Sequence, residues 1–263
     1  MRKDIIIPVD FSETSLNAAR YAADMLTGRT DVHVILYNMF DDKKEADNVS
    51  QYLTNLKSEL EQKGVTNIEC VTEQGDNLID SLGRLAYQKT AELIVMGISE
   101  KDEWKQLFFG SNTLKMAEQN ICPVMIIPAG ANFGGIKNIA LASDFEDVDD
   151  TTPVLAIKTI LEMFKAELHI VNVNNEHYVA LSETFLTERN KMQKLFEEFN
   201  PEFYFIGMND FYEAIAQFSK DKNIDLIIII PKSHSSFINN LLHESHTKKL
   251  AFQSLVPLLA AHQ

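Results

Sequence analysis

Three segments of the chain carry residue types that could bind a phosphorylated ligand. Asp10 follows one apolar run, Gly97 ends another, and Gly110 and Ser111 open a segment with helical spacing. The first N–H groups of a helix lack intrahelical acceptors and carry a partial positive charge, which suits a phosphate. Glycine lets backbone approach a ligand closely, and the hydroxyls of Ser111 and Thr113 could donate hydrogen bonds. A purely structural interpretation makes Gly97 a turn residue and Ser111 a helix cap.

Alternating strands and helices must position these segments. In the first half, apolar runs predict strands at residues 3–9, 32–39, 66–72, 92–96 and 123–127. Helical spacing lies between them, and the first helix is predicted to begin after Ser12 and to stop at Gly28. Continuous β-branched runs are typical of parallel strands that are buried on both faces. In such open sheets, ligands bind beyond the carboxyl ends of the strands, where the strand order reverses.

The chain contains an internal repeat with an offset of 134 residues. KDIIIPVDFSE at 3–13 corresponds to KNIALASDFED at 137–147, and the segment 110–128 corresponds to 244–260. Between them we align 32–38 with 168–174, a shift of two residues that loops of different length would explain. The repeat predicts two tandem α/β domains, each a doubly wound, five-stranded parallel sheet. Their predicted bounds are 1–130 and 136–263, on either side of a stretch with three glycines.

The second half repeats the pattern of strands and helices. Its strands are predicted at 137–142, 167–173, 202–206, 225–230 and 257–260. Its helices are predicted at 151–165, 178–198, 210–221 and 245–253. The second half therefore has the same predicted architecture as the first.

Composition excludes several classes of function. The 263 residues carry a net charge of −14, and neither half has the clustered positive charge that nucleic acids or anionic membranes require. No apolar run reaches the roughly 20 residues of a membrane-spanning helix, and we expect a cytoplasmic protein. The two cysteines, Cys70 and Cys122, read as small buried hydrophobes. No motif places a general base beside a nucleophile, so we expect no catalytic residues.

The segments PVDFSE, LIVMG and GSNT…CPVMIIP resemble the universal stress protein family, and the resemblance extends over both halves. It implies a doubly wound fold that binds an adenine nucleotide in many members. The family motif G-x2-G-x9-G-[ST] falls on Gly97, Glu100, Gly110 and Ser111, so three of its four positions match. By position, the resemblance places the adenine beside Pro8, Val9, Asp10 and Met96. Asn38, at the end of the second strand, is a further candidate for this side and stands where the family usually has an apolar residue. It places the phosphates beside Gly97, Gly110, Ser111 and Thr113.

Position 100 departs from the motif. Glu100 puts a side chain and a negative charge where glycine backbone would meet phosphate. Two like unit charges at about 4 Å and an effective dielectric of 20 repel by roughly 4 kcal/mol. Magnesium could bridge the carboxylate and the phosphate. We therefore expect ATP or a related adenine nucleotide to bind weakly, or only with Mg²⁺.

The second half retains less of the motif. Ile230, Pro231 or His234 stands in the region of the first glycine, and Asp144 and Ser245 remain. His234, His243 and His246 form a cluster in sequence whose spacing matches no common zinc site, so no metal site is predicted. A weak anion site is an alternative for this cluster, and a solvated polar loop is the simpler interpretation.

These observations favour a non-catalytic stress-response module with a nucleotide site in the first half. One alternative is a nucleotide-free scaffold that binds another protein through the acidic and aromatic segment at 98–109. A weaker alternative is a nucleotide hydrolase. The resemblance also implies an internal pseudo-dimer, in which the last strands of the halves (123–128 and 257–261) pair and cover an open edge. A homodimer and an unidentified protein partner are further expectations.

Overall fold

The computed structural model describes residues 2–98, 109–174, 182–231 and 256–262. The chain divides into two compact units, Met1–Gly134 (unit 1) and Gly135–Gln263 (unit 2). The division falls inside the glycine-containing stretch. Among the described residues, no helix is long and apolar enough to cross a membrane.

Unit 1 is a parallel sheet with helices packed against its strands. Its strands are β1 (Lys3–Pro8), β2 (Val32–Phe40), β3 (Ile68–Gln74), β4 (Leu93–Ile98) and β5 (Val124–Pro128). Its helices are α1 (Glu13–Leu26), α2 (Ala46–Gln62), α3 (Leu78–Lys89) and α4 (Phe109–Glu118), with a 3-10 turn at Lys43–Glu45. The strand order is β3-β2-β1-β4-β5, so the order reverses between β1 and β4.

Unit 2 has the corresponding order, β8-β7-β6-β9-β10. Its strands are β6 (Asn138–Ala142), β7 (Glu167–Val173), β8 (Glu202–Ile206), β9 (Leu226–Ile229) and β10 (Leu258–Ala260). Its helices are α5 (Val148–Thr151), α6 (Val154–Phe164), α7 (Glu183–Leu195) and α8 (Phe211–Asp221), with a 3-10 turn at Glu197–Phe199. Both units pair their strands in parallel, which confirms the predicted fold class. The helix predicted at 245–253 lies outside the described residues.

Strands buried on both faces form the core of unit 1. Ile5, Ile6 and Ile7 in the centre of β1 are each at most 1% exposed. Helix α1 packs over β4 and begins as predicted, with the Ser12 side chain accepting a hydrogen bond from the Ser15 N–H at 3.2 Å. Burial of these side chains is the main favourable contribution to the folding of the unit.

Strand register corrects the predicted alignment of the two halves. Pro8 pairs with Tyr37 in unit 1, and Ala142 pairs with Val171 in unit 2. Both pairs are 29 residues apart in sequence, so the offset of 134 holds through β2 and β7. The alignment of 32–38 with 168–174 was wrong by two residues. Both segments are mainly apolar, and apolar and polar residues follow one another similarly in them, so the sequence alone did not fix the register.

The helix predicted at 151–165 is also wrong in one respect, since two helices cover this region. Helix α5 ends at Thr151, and α6 begins at Val154. Pro153 between them has no N–H to donate to a preceding carbonyl, and its ring disfavours helical backbone in Thr152. The helical spacing of apolar residues therefore continues across Pro153, although the backbone forms two separate helices.

Candidate functional site

The carboxyl ends of β1 and β2 bring three predicted site residues together. Pro8 is the last residue of β1, and the next residue, Val9, donates its N–H to the carbonyl of Tyr37 at 2.8 Å. Val9 is 2% exposed, whereas Asp10 is exposed to solvent. This strand end therefore combines a buried apolar residue with an accessible carboxylate.

Asn38 joins the same strand end through its side chain. Its Nδ2 donates to the carbonyl of Val9 at 2.7 Å, and the residue is 5% exposed. Its Oδ1 is buried and has no hydrogen-bond partner among the described residues. A buried acceptor without a partner costs about 1–3 kcal/mol relative to one that is satisfied. The predicted base side thus contains a buried acceptor without a partner among the described residues.

Hydrogen bonds within its own turn hold Asp10 in place. Its Oδ1 accepts from the Ser12 N–H at 2.9 Å, and its own N–H donates to Oγ of the buried Ser15 at 3.3 Å. Phe11 has a φ of 64°, in the left-handed region that non-glycine residues seldom occupy. The turn therefore presents the carboxylate in a defined position before any ligand arrives.

The end of β4 shows why position 97 requires glycine. A Cβ at Gly97 would lie 2.5 Å from the carbonyl oxygen of Thr14 in the first turn of α1. Such an approach is closer than real Cβ atoms allow, and the opposing atom is backbone. Gly97 therefore allows α1 to pack against β4, which also brings the Asp10 turn towards the end of β4. Met96, the residue before it, is fully buried.

Thr113 links α4 to β4. Its Oγ1 donates to the carbonyl of Gly97 at 2.8 Å, and the residue is fully buried. The hydroxyl proton is therefore engaged with backbone in this structure, and a role of Thr113 in phosphate binding stays a prediction. Gly110 and Ser111 lie inside the first turn of α4, where backbone N–H groups have no intrahelical acceptor.

Several predicted residues lie outside the described part of the chain. They include Glu100, most of the segment 98–109 and the histidines His234, His243 and His246. Among the residues that are described, no group of three or more His, Cys, Asp or Glu side chains could hold a metal ion.

Sequence reasoning missed Thr14, Ser15 and the group around Tyr37. The Tyr37 hydroxyl donates to Glu73 at 3.1 Å, and burial raises the pKa of Tyr37 to about 12. Ser81 and Arg84 also donate to Glu73, so this carboxylate joins β2, β3 and α3. Of these residues, Ser15 alone had a local signal, because it follows the helix cap Ser12 by three positions.

Unit 2 repeats the turn after its first strand. Asp144 Oδ1 accepts from the Glu146 N–H at 3.1 Å, and Phe145 has a φ of 55°. Asn172 Nδ2 donates to the carbonyl of Ser143 at 2.8 Å, as Asn38 does to Val9. Both units thus share the turn that contains the aspartate and the hydrogen bond from an asparagine side chain to the backbone after the first strand.

The end of the fourth strand differs between the units. In unit 1 Ile5 pairs with Leu93, and in unit 2 Ile139 pairs with Leu226. This register places Ile230 at the position of Gly97 and resolves the choice left open by the sequence. At the start of α5, the Val148 N–H donates to Glu188 of α7 at 2.8 Å. Hydrogen bonds from Lys191 and this N–H lower the pKa of Glu188, which keeps it charged.

Comparison with known proteins gives a family for part of the chain and a fold for nearly all of it. The model of the universal stress protein family matches residues 1–128. No curated protein matches the chain in sequence. A solved universal stress protein from Archaeoglobus fulgidus DSM 4304 is 16% identical, covers 97% of this chain and 94% of its own, and has a TM-score of 0.69.

Two further structures have the same fold. A putative universal stress protein from Pseudomonas aeruginosa UCBPP-PA14 is 14% identical, with 98% of this chain and 92% of that chain covered and a TM-score of 0.64. The cytoplasmic domain of a prokaryotic cation chloride cotransporter is 13% identical, with 98% and 95% covered and a TM-score of 0.60. At these identities the likeness shows the fold alone, and that fold occurs in proteins with different names.

Proposed function

We propose, from the match of residues 1–128 to the model of the universal stress protein family, that the chain is a tandem member of this family and a non-catalytic stress-response module. In this proposal unit 1 binds ATP or a related adenine nucleotide, and unit 2 binds none. Binding is weak or requires Mg²⁺ because of Glu100. The nucleotide state of unit 1 would then be the signal that the protein carries.

The observation that carries the proposal is the strand end formed by Val9, Asp10 and Asn38. Val9 follows the buried strand β1, Asp10 offers a fixed carboxylate for hydroxyl or amino donors, and Asn38 contains a buried acceptor. Val9 and Asp10 follow β1, which borders the point where the strand order reverses, and open parallel sheets bind ligands there. Asn38 lies at the end of the neighbouring β2. These residues support a proposed site for the base and sugar of a nucleotide at this strand end.

The phosphate side has weaker support. The first turn of α4 offers backbone N–H groups, and its sequence there is Gly110-Ser111. Glu100 would repel a phosphate unless a divalent cation lay between them. When bound, Mg²⁺ would supply positive charge that neutralises both groups.

Charge and packing disfavour a nucleotide in unit 2. Residues 144–150 contain five carboxylates, whereas 10–16 contain two. Glu188 adds another charged carboxylate at the start of α5. Ile230 replaces the glycine at the end of the fourth strand. Each of these differences opposes the approach of a polyphosphate.

The other parts of the proposal rest on sequence. We propose that the protein is cytoplasmic and catalyses no reaction. We also propose that β5 and β10 pair with each other, because each is short and apolar and stands at the end of the strand order within its unit. Separately expressed residues 1–134 and 135–263 should then bind each other; two stable monomers without mutual affinity would contradict the pairing.

Calorimetric titration of the full chain with ATP, with and without Mg²⁺, tests the nucleotide proposal. We expect one ATP per chain and clearly stronger binding with Mg²⁺. Asp10→Ala should weaken binding by roughly ten-fold or more, because hydrogen bonds to a charged group contribute about 1.5–3 kcal/mol. Asp144→Ala is the matched control, since it removes the same turn hydrogen bond from unit 2.

Other results of these titrations would contradict parts of the proposal. Two ATP per chain, or equal losses in Asp10→Ala and Asp144→Ala, would contradict the assignment to unit 1. No binding under any condition would favour the nucleotide-free scaffold. Release of phosphate during prolonged incubation, absent in Asp10→Ala, would contradict the non-catalytic assignment.

A further inference from the structure

We propose that the outer edge of β8 is a self-association surface, through which two copies of this chain pair antiparallel into a symmetric dimer. β8 is the last strand in the order of unit 2, and among the described residues β7 is the strand that pairs with it. An edge strand presents N–H and C=O groups on which a further strand can form. The inference does not rest on the proposed nucleotide site, because it concerns a different strand and needs no ligand.

The hydrogen bonds to β7 determine which residues face the outer edge of β8. The Asn174 N–H donates to the Ile206 carbonyl at 3.0 Å, so the backbone of Ile206 is directed towards β7. Successive residues of a strand direct their N–H and C=O groups to alternate sides. Phe203 and Phe205 therefore direct theirs away from β7 and supply the donors and acceptors of the outer edge.

Aromatic side chains accompany these backbone groups. The Phe205 side chain is 45% exposed, and Glu202 is the one charged residue of β8. Helix α7 holds both rings in place: the ring centroids of Phe185 and Phe205 are 5.6 Å apart, and the guanidinium of Arg189 lies 4.7 Å from the centroid of Phe203. The outer edge of β8 is thus ordered and apolar, and it lacks the row of charges with which natural edge strands oppose pairing.

The order Phe203-Tyr204-Phe205 complements itself when two copies run antiparallel about Tyr204. Phe203 would then lie opposite Phe205 of the second copy, and each such pair would exchange both of its backbone hydrogen bonds. Aromatic pairs opposite each other stabilise adjacent strands. Glu202 would lie opposite Ile206, so no like charges would meet across the edge. A two-fold axis at Tyr204 closes the contact and limits the assembly to a dimer.

The corresponding edge strand of unit 1 is β3. Asn38 of β2 pairs with Thr72, as Asn172 of β7 pairs with Phe205, so Thr72 is the counterpart of Phe205. Thr72 is exposed and polar. The outer edge of β3 therefore lacks an aromatic side chain at this position.

Charge also opposes the same pairing in β3. Two β3 strands that paired antiparallel about Val71 would place Glu69 of each copy opposite Glu73 of the other. Like charges directly opposite each other destabilise a pair of strands. Self-pairing is thus opposed at the edge of unit 1 and favoured at the edge of unit 2, which is why we assign the contact to β8.

Sedimentation velocity of the full chain without nucleotide tests the inference. We expect a reversible equilibrium between monomer and dimer, with a dissociation constant of roughly 1–100 µM for so short an interface. Phe205→Lys should raise that constant about ten-fold or more, because the two-fold axis makes each substitution count twice and both aromatic pairs are lost. Thr72→Lys is the matched control, since it adds the same charge at the counterpart position, and it should change the constant by less than about two-fold.

A second measurement needs no variant and so does not depend on the folding of a mutant. Amide hydrogen exchange of the native chain at low and high protein concentration should show slower exchange at Phe203 and Phe205 when the dimer forms, because their N–H groups then have acceptors. The amides of Cys70 and Thr72 in β3 should exchange at rates that do not depend on concentration.

Four results would overturn the inference. The first is a chain that stays monomeric at about 100 µM. The second is equal weakening of the dimer by Phe205→Lys and Thr72→Lys. The third is a dimer in which exchange at Phe203 and Phe205 does not change with concentration, since the contact would then lie elsewhere. The fourth is an assembly that grows continuously with concentration, since an open head-to-tail contact would then replace the closed one.

Discussion

The turns after the first strands of the two units are almost the same, whereas the ends of the fourth strands are not. Asp10 and Asp144 accept the same turn hydrogen bond, and Phe11 and Phe145 share a left-handed backbone. At the fourth strand, Gly97 faces the backbone of Thr14 in unit 1. The repeat has therefore kept the geometry of one side of the site and lost that of the other.

Helix packing explains why these differences occur together. The buried face of α1 consists largely of small side chains, and Ala18, Ala19, Ala22 and Ala23 are each at most 1% exposed. In unit 2 the corresponding helix is divided, and the buried face of α6 carries Ile157, Ile160 and Leu161. Small helix residues and Gly97 permit a close approach of α1 to β4, whereas unit 2 carries larger residues on α6 and Ile230 on its fourth strand. Gly97, the first glycine of the proposed nucleotide site, is thus also a packing residue.

The largest predicted effect comes from adding one methyl group at this contact. Gly97→Ala should destabilise unit 1 by about 2–3 kcal/mol, because the new Cβ meets backbone that can move only with α1. Urea unfolding followed by far-ultraviolet circular dichroism would measure this change. The resulting loss would show that unit 1 depends on a glycine that unit 2 does without.

Gly134→Ala is the control for this measurement. A Cβ at Gly134 would have no heavy atom within 4 Å, so its effect should stay within about 0.5 kcal/mol. Similar unfolding free energies for Gly97→Ala and the native chain would show that α1 adjusts freely. In that case the packing explanation for the difference between the units would fail.

A smaller and opposite effect is expected at position 100. Glu100→Gly should strengthen ATP binding by about 1–3 kcal/mol after screening, and adenosine binding by less, because ATP carries the phosphate charge. Calorimetry at two salt concentrations would measure the gain, which should shrink at the higher one. Glu100→Gln separates the effect of charge from the effect of side-chain size, since it removes the charge and keeps most of the bulk.

Two results would contradict this view of Glu100. Tight ATP binding by the native chain without Mg²⁺ would show that the carboxylate does not oppose phosphate. A gain in Glu100→Gly that is unchanged by salt and absent in Glu100→Gln would assign the effect to bulk alone. The comparison between the units would then rest on packing rather than on charge.

The sequence predicted strands best where both faces are buried. The prediction 92–96 for β4 lies within about one residue of the observed start, because its apolar run is continuous. The prediction 66–72 for β3 is shifted by two residues against Ile68–Gln74. β3 ends the strand order of its unit, and its side chains alternate between partly buried and exposed, so the apolar signal that marks its bounds is weaker.

Contacts between distant segments account for what the sequence did not reveal about the site. The types of Asp10, Gly97 and Asn38 could be read from the chain. That Gly97 faces Thr14, and that the Asn38 amide clamps Val9, follows only from how strands and helices pack. Such contacts depend on the whole fold, so no local pattern encodes them.

Amide hydrogen exchange of the full chain, with and without saturating ATP and Mg²⁺, tests most directly whether the nucleotide site belongs to unit 1. We expect slower exchange at the ends of β1 and β2 and in the first turn of α4, at residues 9–15, 38–40 and 109–113. The corresponding segments of unit 2, residues 143–149 and 172–174, should exchange at unchanged rates. Slower exchange in these segments of unit 2, or unchanged rates in both units, would contradict the account.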